Sequence, residues 1–145
     1  MDPRQTAIRL LARREHSRAE LQQKLLARGF MQDVVTPLLN QLTEKNILSD
    51  RRFAENYIHY RTNKGYGPVR IGAELTQRGV DSDIIDELLN MQTEYWLQHI
   101  QTIKLKRFGK KIPQDFNEQT RQMRFLQYRG FTMEQIRRIF IDAES

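Results

Sequence analysis

The residue types that most often carry out acid–base, nucleophilic or metal chemistry are sparse in this chain. Its 145 residues contain three histidines and no cysteine, which excludes disulfides and thiolate chemistry. His16, His59 and His99 form no HExxH pattern and have no histidine partner four residues away, the spacing that helical zinc sites use. Glu20 follows Ser17 at the spacing of a capping box, so we interpret this serine as a helix cap rather than a nucleophile.

The glycine-containing segments do not match the known phosphate-binding loops. Gly65-Tyr66-Gly67, which Arg70 follows, lacks the third glycine of a dinucleotide loop and comes after a predicted helix instead of a strand. Gly109-Lys110-Lys111 lacks the upstream glycine and the Ser or Thr of a Walker-type loop. We therefore expect a protein without a catalytic centre, a bound metal or a cofactor.

Basic residues are the better candidates for function. The chain carries 24 Lys and Arg against 18 Asp and Glu, a net charge of +6, and residues 93–145 alone hold ten of the cations against six acids. Such a balance favours a polyanion or an acidic protein surface as the partner, although a basic helical protein without such a partner is the alternative. The candidate contact residues are Arg51, Arg52, Lys64, Arg70, Lys104, Lys106, Arg107, Lys110, Lys111, Arg121 and Arg124.

The elements that must position these cations repeat along the chain. An Arg-Gly pair followed by an apolar residue occurs three times, 50 and 51 residues apart, as Arg28-Gly29-Phe30, Arg78-Gly79-Val80 and Arg129-Gly130-Phe131. A period this regular predicts one supersecondary unit written three times. The glycine predicts a left-handed turn just past a helix, and we interpret the arginine as a helix-terminal cation bonding the last carbonyls.

The residues around each Arg-Gly turn predict a further detail. The apolar residue after each glycine precedes a predicted helix cap, and an apolar residue lies four positions inside the following helix. This arrangement predicts a hydrophobic staple. The three staple pairs are Phe30 with Val35, Val80 with Ile85, and Phe131 with Ile136.

Helical periodicity extends over every segment, and none alternates as a strand does. We expect an all-α protein of about nine helices, divided into three-helix repeats at residues 1–48, 49–92 and 93–145. Hydrophobic residues make up 39% of the chain, which fits an extended molecule with much exposed surface. No apolar run approaches the roughly 20 residues of a membrane span, so we expect a soluble intracellular protein.

Several local predictions concern the first two repeats. Asp2 and Pro3 have the types of an N-cap and a first helical residue. The inward face of this first helix should consist of Ile8, Leu11 and Ala12.

The third helix should begin near residue 32, where Met31 is a poor cap, and Pro37 should kink it or delay its start. Tyr57 and Tyr60 are three residues apart on the next predicted helix. We interpret them as core residues between repeats, not as a platform for stacking bases.

Several passages in order along the chain carry a family resemblance. They are residues 10–17 with Glu20-Leu21, residues 52–55 with 65–68, and residues 106–109 with 123–126 and 129–131. These passages resemble the RecX family of bacterial recombination regulators, and they cover all three predicted repeats. The resemblance implies tandem three-helix repeats in an elongated, curved arrangement. It also implies a cytoplasmic protein that binds the RecA–DNA filament, inhibits its ATPase and strand exchange, and catalyses no reaction of its own.

Two function hypotheses follow from these observations. In the first, the protein is a monomer whose basic residues contact RecA subunits and DNA in the filament, and thereby regulates DNA repair and the SOS response. In the second, it is an autonomous DNA-binding protein that uses its three-helix units as helix-turn-helix modules do. The modest net charge and the lack of a base-reading row of Asn, Gln or Arg on any helix count against the second.

Overall fold

The computed structural model describes residues 2–90 and 93–144, with side chains described as far as residue 140. Within these ranges the chain forms nine α-helices and no strand, as the periodicity predicts. The helices span Pro3–Arg13 (α1), Arg18–Ala27 (α2), Gln32–Glu44 (α3), Asp50–Asn63 (α4), Pro68–Gln77 (α5), Ser82–Asn90 (α6), Thr93–Phe108 (α7), Phe116–Arg129 (α8) and Met133–Glu144 (α9).

The helices pack into two compact units. Unit 1 comprises residues 1–58 and 75–85, and unit 2 comprises residues 59–74 and 86–145. The boundaries fall inside α4, α5 and α6, so the second predicted repeat is divided between the two units. The limits of the three predicted repeats stay a prediction.

In unit 1 the first three helices enclose a core of aliphatic side chains. Its buried members are Ala7, Leu10, Leu21, Leu25, Val35, Leu38, Leu39, Leu42 and Leu48. The predicted inward face of α1 is wrong, because Ile8 is 38% exposed and Ala12 is exposed. Ala7 and Leu10 face the core instead, and Leu11 is only partly buried against it. Both sets of residues satisfy helical spacing, and packing against α2 and α3 selects between them.

Local sequence signals explain where the first helices begin. The Asp2 side chain accepts a hydrogen bond from the Gln5 amide at 2.7 Å, and Pro3 follows as the first residue of α1. Ser17 and Glu20 form the predicted capping box at the start of α2. Met31 caps α3 without a side-chain hydrogen bond, yet this helix begins at residue 32 and continues through its internal proline. The helix thus begins at the predicted residue and not late, and the kink at Pro37 stays a prediction.

In unit 2 the aromatic residues of α7 anchor the packing. Trp96 is buried, and its indole N–H donates to the Leu89 carbonyl at 3.0 Å. Ile100, on the same helix, is fully buried. Tyr60, by contrast, is 57% exposed, so its predicted role in the core is wrong.

The recurring Arg-Gly turns have a structural role that the sequence does not reveal. In unit 1 the Ser17 hydroxyl donates to the Arg78 carbonyl at 2.7 Å. In unit 2 the Gly67 amide donates to the Arg129 carbonyl, and the Val69 amide donates to the Gly130 carbonyl, both at 2.8 Å. Ser17 and Gly67 both precede the second helix of a predicted repeat, so a hydrogen bond to the arginine carbonyl recurs at equivalent positions, from a hydroxyl in unit 1 and from a main-chain amide in unit 2. We call it the Arg-Gly joint.

The joint explains why glycine follows the arginine. Gly29, Gly79 and Gly130 have φ values of +94°, +83° and +101°, a conformation that costs glycine no Cβ clash. A Cβ on Gly79 would lie 2.5 Å from the Ala19 Cβ, and a Cβ on Gly130 would collide with the Arg70 Cβ. A Cβ on Gly29 would meet nothing within 4 Å. Close approach is thus an additional requirement at the second and third turns only.

The predicted staple residues are buried or partly buried. Val80 and Phe131 are buried, as are Val35, Ile85 and Ile136 inside the helices that follow. Phe30, at the first turn, is partly buried against the core of unit 1. Each turn therefore leads into a helix whose staple residue, four positions after the cap, is buried.

Candidate anion-binding surface

Three arginines surround one tyrosine ring in unit 2. The guanidinium carbons of Arg61, Arg70 and Arg129 lie 4.0, 4.4 and 5.1 Å from the centre of the Tyr66 ring. Distances of this size allow the ring quadrupole to attract each cation. The ring therefore helps to hold three like charges together.

A carboxylate is also part of this group. Arg61 donates from Nε and Nη2 to the two oxygens of Glu74, at 2.9 Å each. Arg70 reaches the same carboxylate at 3.5 Å. Three guanidinium groups and this one carboxylate carry a net charge of +2. We call this group, together with Tyr66, the Tyr66 cluster.

Beside Arg129, a groove opens between the end of α4, α7 and α8. Its cavity volume is about 240 Å³. Four of the residues that line it are cationic, and none is acidic. The lining consists of Asn63, Lys64, Gly65, Ile103, Lys106, Arg107, Phe125 and Arg129. We call it the cationic groove.

Two guanidinium groups of the groove are held in place by the protein itself. The guanidinium carbons of Arg107 and Arg129 lie 5.2 and 5.1 Å from the centre of the Phe125 ring. Arg129 Nη1 also donates to the Lys64 carbonyl at 3.2 Å. The groove is therefore partly pre-organised.

The structure brings some predicted contact residues together and separates others. Lys64, Lys106 and Arg107 line the cationic groove, and Arg70 belongs to the Tyr66 cluster. Lys104 is half-buried, with Nζ 4.3 Å from the centre of the Phe140 ring, and burial lowers its pKa. A lysine in this position is a less available cation than its neighbours.

Arg121 is engaged with its own helix. It donates to both carboxylate oxygens of Glu118, at 2.9 and 2.8 Å. These bonds, with a further one from Gln122, lower the pKa of Glu118 to about 2. Lys110, Lys111 and Arg124 are also exposed.

The two predicted residues of unit 1 differ in their surroundings. Arg51 is exposed and lies 3.5 Å from the Glu55 carboxylate, one turn along α4. Arg52 bonds to the Glu15 carboxylate, and it also donates to the Ile47 carbonyl at 3.0 Å. Through these two contacts Arg52 stabilises the packing within unit 1.

Sequence reasoning missed the role of Arg129. Its side chain bonds to a carbonyl at the end of α4, not to the last turn of α8, to which it belongs. In unit 1, Arg78 takes a related position, 4.6 Å from the centre of the Tyr57 ring and 3.9 Å from the Glu20 carboxylate. No common spacing marks the two ring contacts in the sequence, since Tyr57 precedes Arg78 by 21 residues and Tyr66 precedes Arg129 by 63.

The described part of the chain holds neither a metal-ligating cluster nor a membrane span. Among those residues, no group of three or more metal-ligating side chains is assembled. No helix there has the length and apolar character needed to cross a membrane.

Fold and surface together define a class: an all-α protein built from repeated three-helix units, with basic residues gathered in one groove. Comparison with family models shows which family of this class the chain belongs to. The models of the first, second and third three-helix domains of RecX match residues 4–42, 49–89 and 93–140. The chain belongs to the RecX family.

Individual relatives agree with this assignment. The chain is 48% identical to the regulatory protein RecX of Halorhodospira halophila, over 92% of its own length and 83% of that protein. It is 45% identical to the regulatory protein RecX of Pseudomonas entomophila, over 94% and 88%. The crystal structure of RecX from Lactobacillus salivarius has the same fold, with a TM-score of 0.85 and 22% identity over 98% of this chain and 94% of that one.

Proposed function

We propose that this protein associates with RecA–DNA filaments and inhibits the RecA ATPase and strand exchange, and that it thereby regulates recombination and DNA repair. Relatives over 40% identical across most of the chain are named regulatory proteins. Their names imply control of another protein's reaction, and we propose that this chain likewise catalyses none. On this proposal it acts in the cytoplasm as a monomer.

The cationic groove is the observation that carries the proposal. A nucleoprotein filament is a polyanion, and a cluster of cations raises both the rate and the strength of association with such a partner. Lys64, Lys106, Arg107 and Arg129 converge there without an acidic residue among the lining. The Tyr66 cluster shares Arg129 with the groove, and its other charged members, Arg61, Arg70 and Glu74, add one further net positive charge within the same unit.

Inhibition requires only binding. A protein that contacts the assembled filament and prefers one nucleotide state of its subunits shifts the population toward that state. Hydrolysis and subunit turnover then slow without any chemical step on the regulator. This mechanism needs a rigid basic surface, which the stacked and hydrogen-bonded arginines of unit 2 supply.

The test is DNA-dependent ATP hydrolysis by RecA with increasing amounts of this protein. We expect inhibition that saturates at or below one molecule per RecA subunit, and co-sedimentation with the filament under the same conditions. The variant Lys106→Glu should weaken both effects, whereas Lys45→Glu, an exposed charge reversal in unit 1, should not. Unchanged hydrolysis at stoichiometric amounts would refute the proposal.

The same cations favour a second candidate, an autonomous DNA-binding protein. This alternative expects tight binding to duplex DNA without RecA, with an affinity that falls steeply as salt rises. Strong inhibition of RecA with only weak duplex binding would exclude it.

A further inference from the structure

We propose that the cationic groove is a phosphate site that takes a phosphodiester group of a nucleic-acid strand. The inference rests on the proposed function, because it names the part of the RecA–DNA filament that this groove contacts. It goes further by assigning specific donors to one chemical group.

The first observation that supports a phosphate site is the charge of the groove. Within the part of the chain that the structure describes, none of Lys64, Lys106, Arg107 and Arg129 is paired with a carboxylate. Arg61, by contrast, is bonded to an acidic neighbour through two nitrogens. The protein thus neutralises cations elsewhere and leaves these four uncompensated at one concave place, where an external anion can supply the missing charge.

The second observation is that the protein orients the hydrogen-bond donors of the groove. The guanidinium carbons of Arg107 and Arg129 both lie over the Phe125 ring, and Arg129 is also fixed by one hydrogen bond to the Lys64 carbonyl. Fixed guanidinium planes lose little side-chain entropy when they bind, and their forked N–H groups match two oxygens of a phosphate. The two ammonium groups add point charges from separate segments, the end of α4 and α7.

The arrangement distinguishes a phosphate from other anions and from a base. A phosphodiester offers two charged oxygens on a tetrahedral centre, which suits donors that arrive from three segments. The Phe125 ring is in contact with both guanidinium groups, so it does not provide an open platform for a base. The groove should therefore recognise the backbone of a strand without regard to sequence.

The experiment measures binding of a fluorescently labelled oligothymidylate by anisotropy, without RecA, over a range of salt concentrations. The test protein is the double variant Lys106→Gln, Arg107→Gln. The matched control is Arg28→Gln, Lys45→Gln, which removes the same charge from exposed positions of unit 1. Because the replaced side chains are exposed, both variants should unfold thermally as the parent does.

We expect the groove variant to bind more weakly and to lower the magnitude of the salt slope by about 0.7, the contribution of one phosphate contact on a single strand. The control should keep the parent slope, and a mixed-sequence oligonucleotide should bind as the oligothymidylate does. Equal slopes for the groove variant and the control would overturn the inference.

Competitors separate the possible sources of the anion. ATP and polyglutamate should displace the oligonucleotide only weakly from the parent protein. Tight, groove-dependent ATP binding would show a nucleotide site instead, and groove-dependent polyglutamate binding would show a site for an acidic protein segment; either result overturns the inference. If the groove variant binds the strand normally but loses RecA inhibition, the inference fails while the proposed function survives.

Discussion

Alanine substitutions at three glycines separate the two physical requirements that the Arg-Gly joint combines, a left-handed backbone and a close approach of two chain segments. Gly29 has a positive φ and open space around it, with nothing within 4 Å of an added Cβ. At Gly67 the reverse holds, since no positive φ is involved and an added Cβ would lie 2.6 Å from the Gly130 carbonyl oxygen. Gly130 combines a φ of +101° with a Cβ that would collide with Arg70.

The magnitudes follow from these geometries. A left-handed alanine costs about 1–2 kcal/mol, which is the whole expected loss in the free energy of unfolding for Gly29→Ala. Forcing a methyl group into a packed contact costs about 1–3 kcal/mol, which is the expected loss for Gly67→Ala. Gly130→Ala carries both costs and should lose roughly 2–5 kcal/mol. Its partner in the collision is a Cβ, which cannot move without the backbone.

Urea unfolding followed by circular dichroism measures these differences, provided that the dependence of the free energy on urea stays the same among variants. The double variant Gly67→Ala, Gly130→Ala should lose less than the sum of the single losses, because both changes disrupt one contact. If Gly29→Ala and Gly130→Ala were equally destabilising, close approach at the joint would not contribute to stability. That result would refute close backbone approach as a reason for the recurring glycine.

Three further predictions concern unit interiors and the Tyr66 cluster. Burial lowers the pKa of His16 below its usual 6.5, so the free energy of unfolding should be highest above about pH 6.5 and fall as the pH drops below it. His16→Gln should reduce this slope but not remove it, since burial also lowers the pKa of His99; a parent protein equally stable to urea at pH 7.5 and 5.5 would contradict this. Arg61→Gln should destabilise by about 2 kcal/mol, between the values for exposed and buried pairs, and adding Glu74→Gln should recover part of the loss in the same assay. Tyr66→Leu should lose about 1–3 kcal/mol because three cations share the ring, whereas Tyr66→Phe, which keeps the ring, should lose little; equal losses would show that the ring's cation contacts are unimportant.

The parts of the fold that sequence predicts are those fixed within one helical turn. The capping box of Ser17 and Glu20 requires only residues three apart, and the left-handed glycines act on their own backbone. Local signals of this kind, together with helical periodicity, are sufficient to predict the all-helical fold.

The predictions that are wrong concern residues whose burial depends on packing against another helix. Helical spacing on α1 fits Ala7 with Leu10 as well as Ile8 with Leu11, and only packing selects the first pair. Tyr60 has the residue type of a core position but lies on the outward side of α4.

The cationic groove could not be predicted for the same reason. Arg129 and the Lys64 carbonyl that it contacts are 65 residues apart, and nothing in the local sequence of either residue indicates the other. The candidate contacts predicted from charge alone therefore mixed groove residues with Arg52, which braces unit 1. Charge density along a sequence identifies cations, whereas their convergence depends on how α4, α7 and α8 pack.

The Arg-Gly joint is made largely from main-chain groups. In unit 2, two amides donate to two carbonyls, and the remaining condition is that Gly67 and Gly130 lack a Cβ. Apart from the two glycines, the joint of unit 2 places almost no demand on side-chain identity, so substitutions can accumulate over most of the surface while the connection between the helices of this unit is retained. A lineage of these proteins can therefore change its surface charge, and with it the partners it prefers, without first redesigning its scaffold.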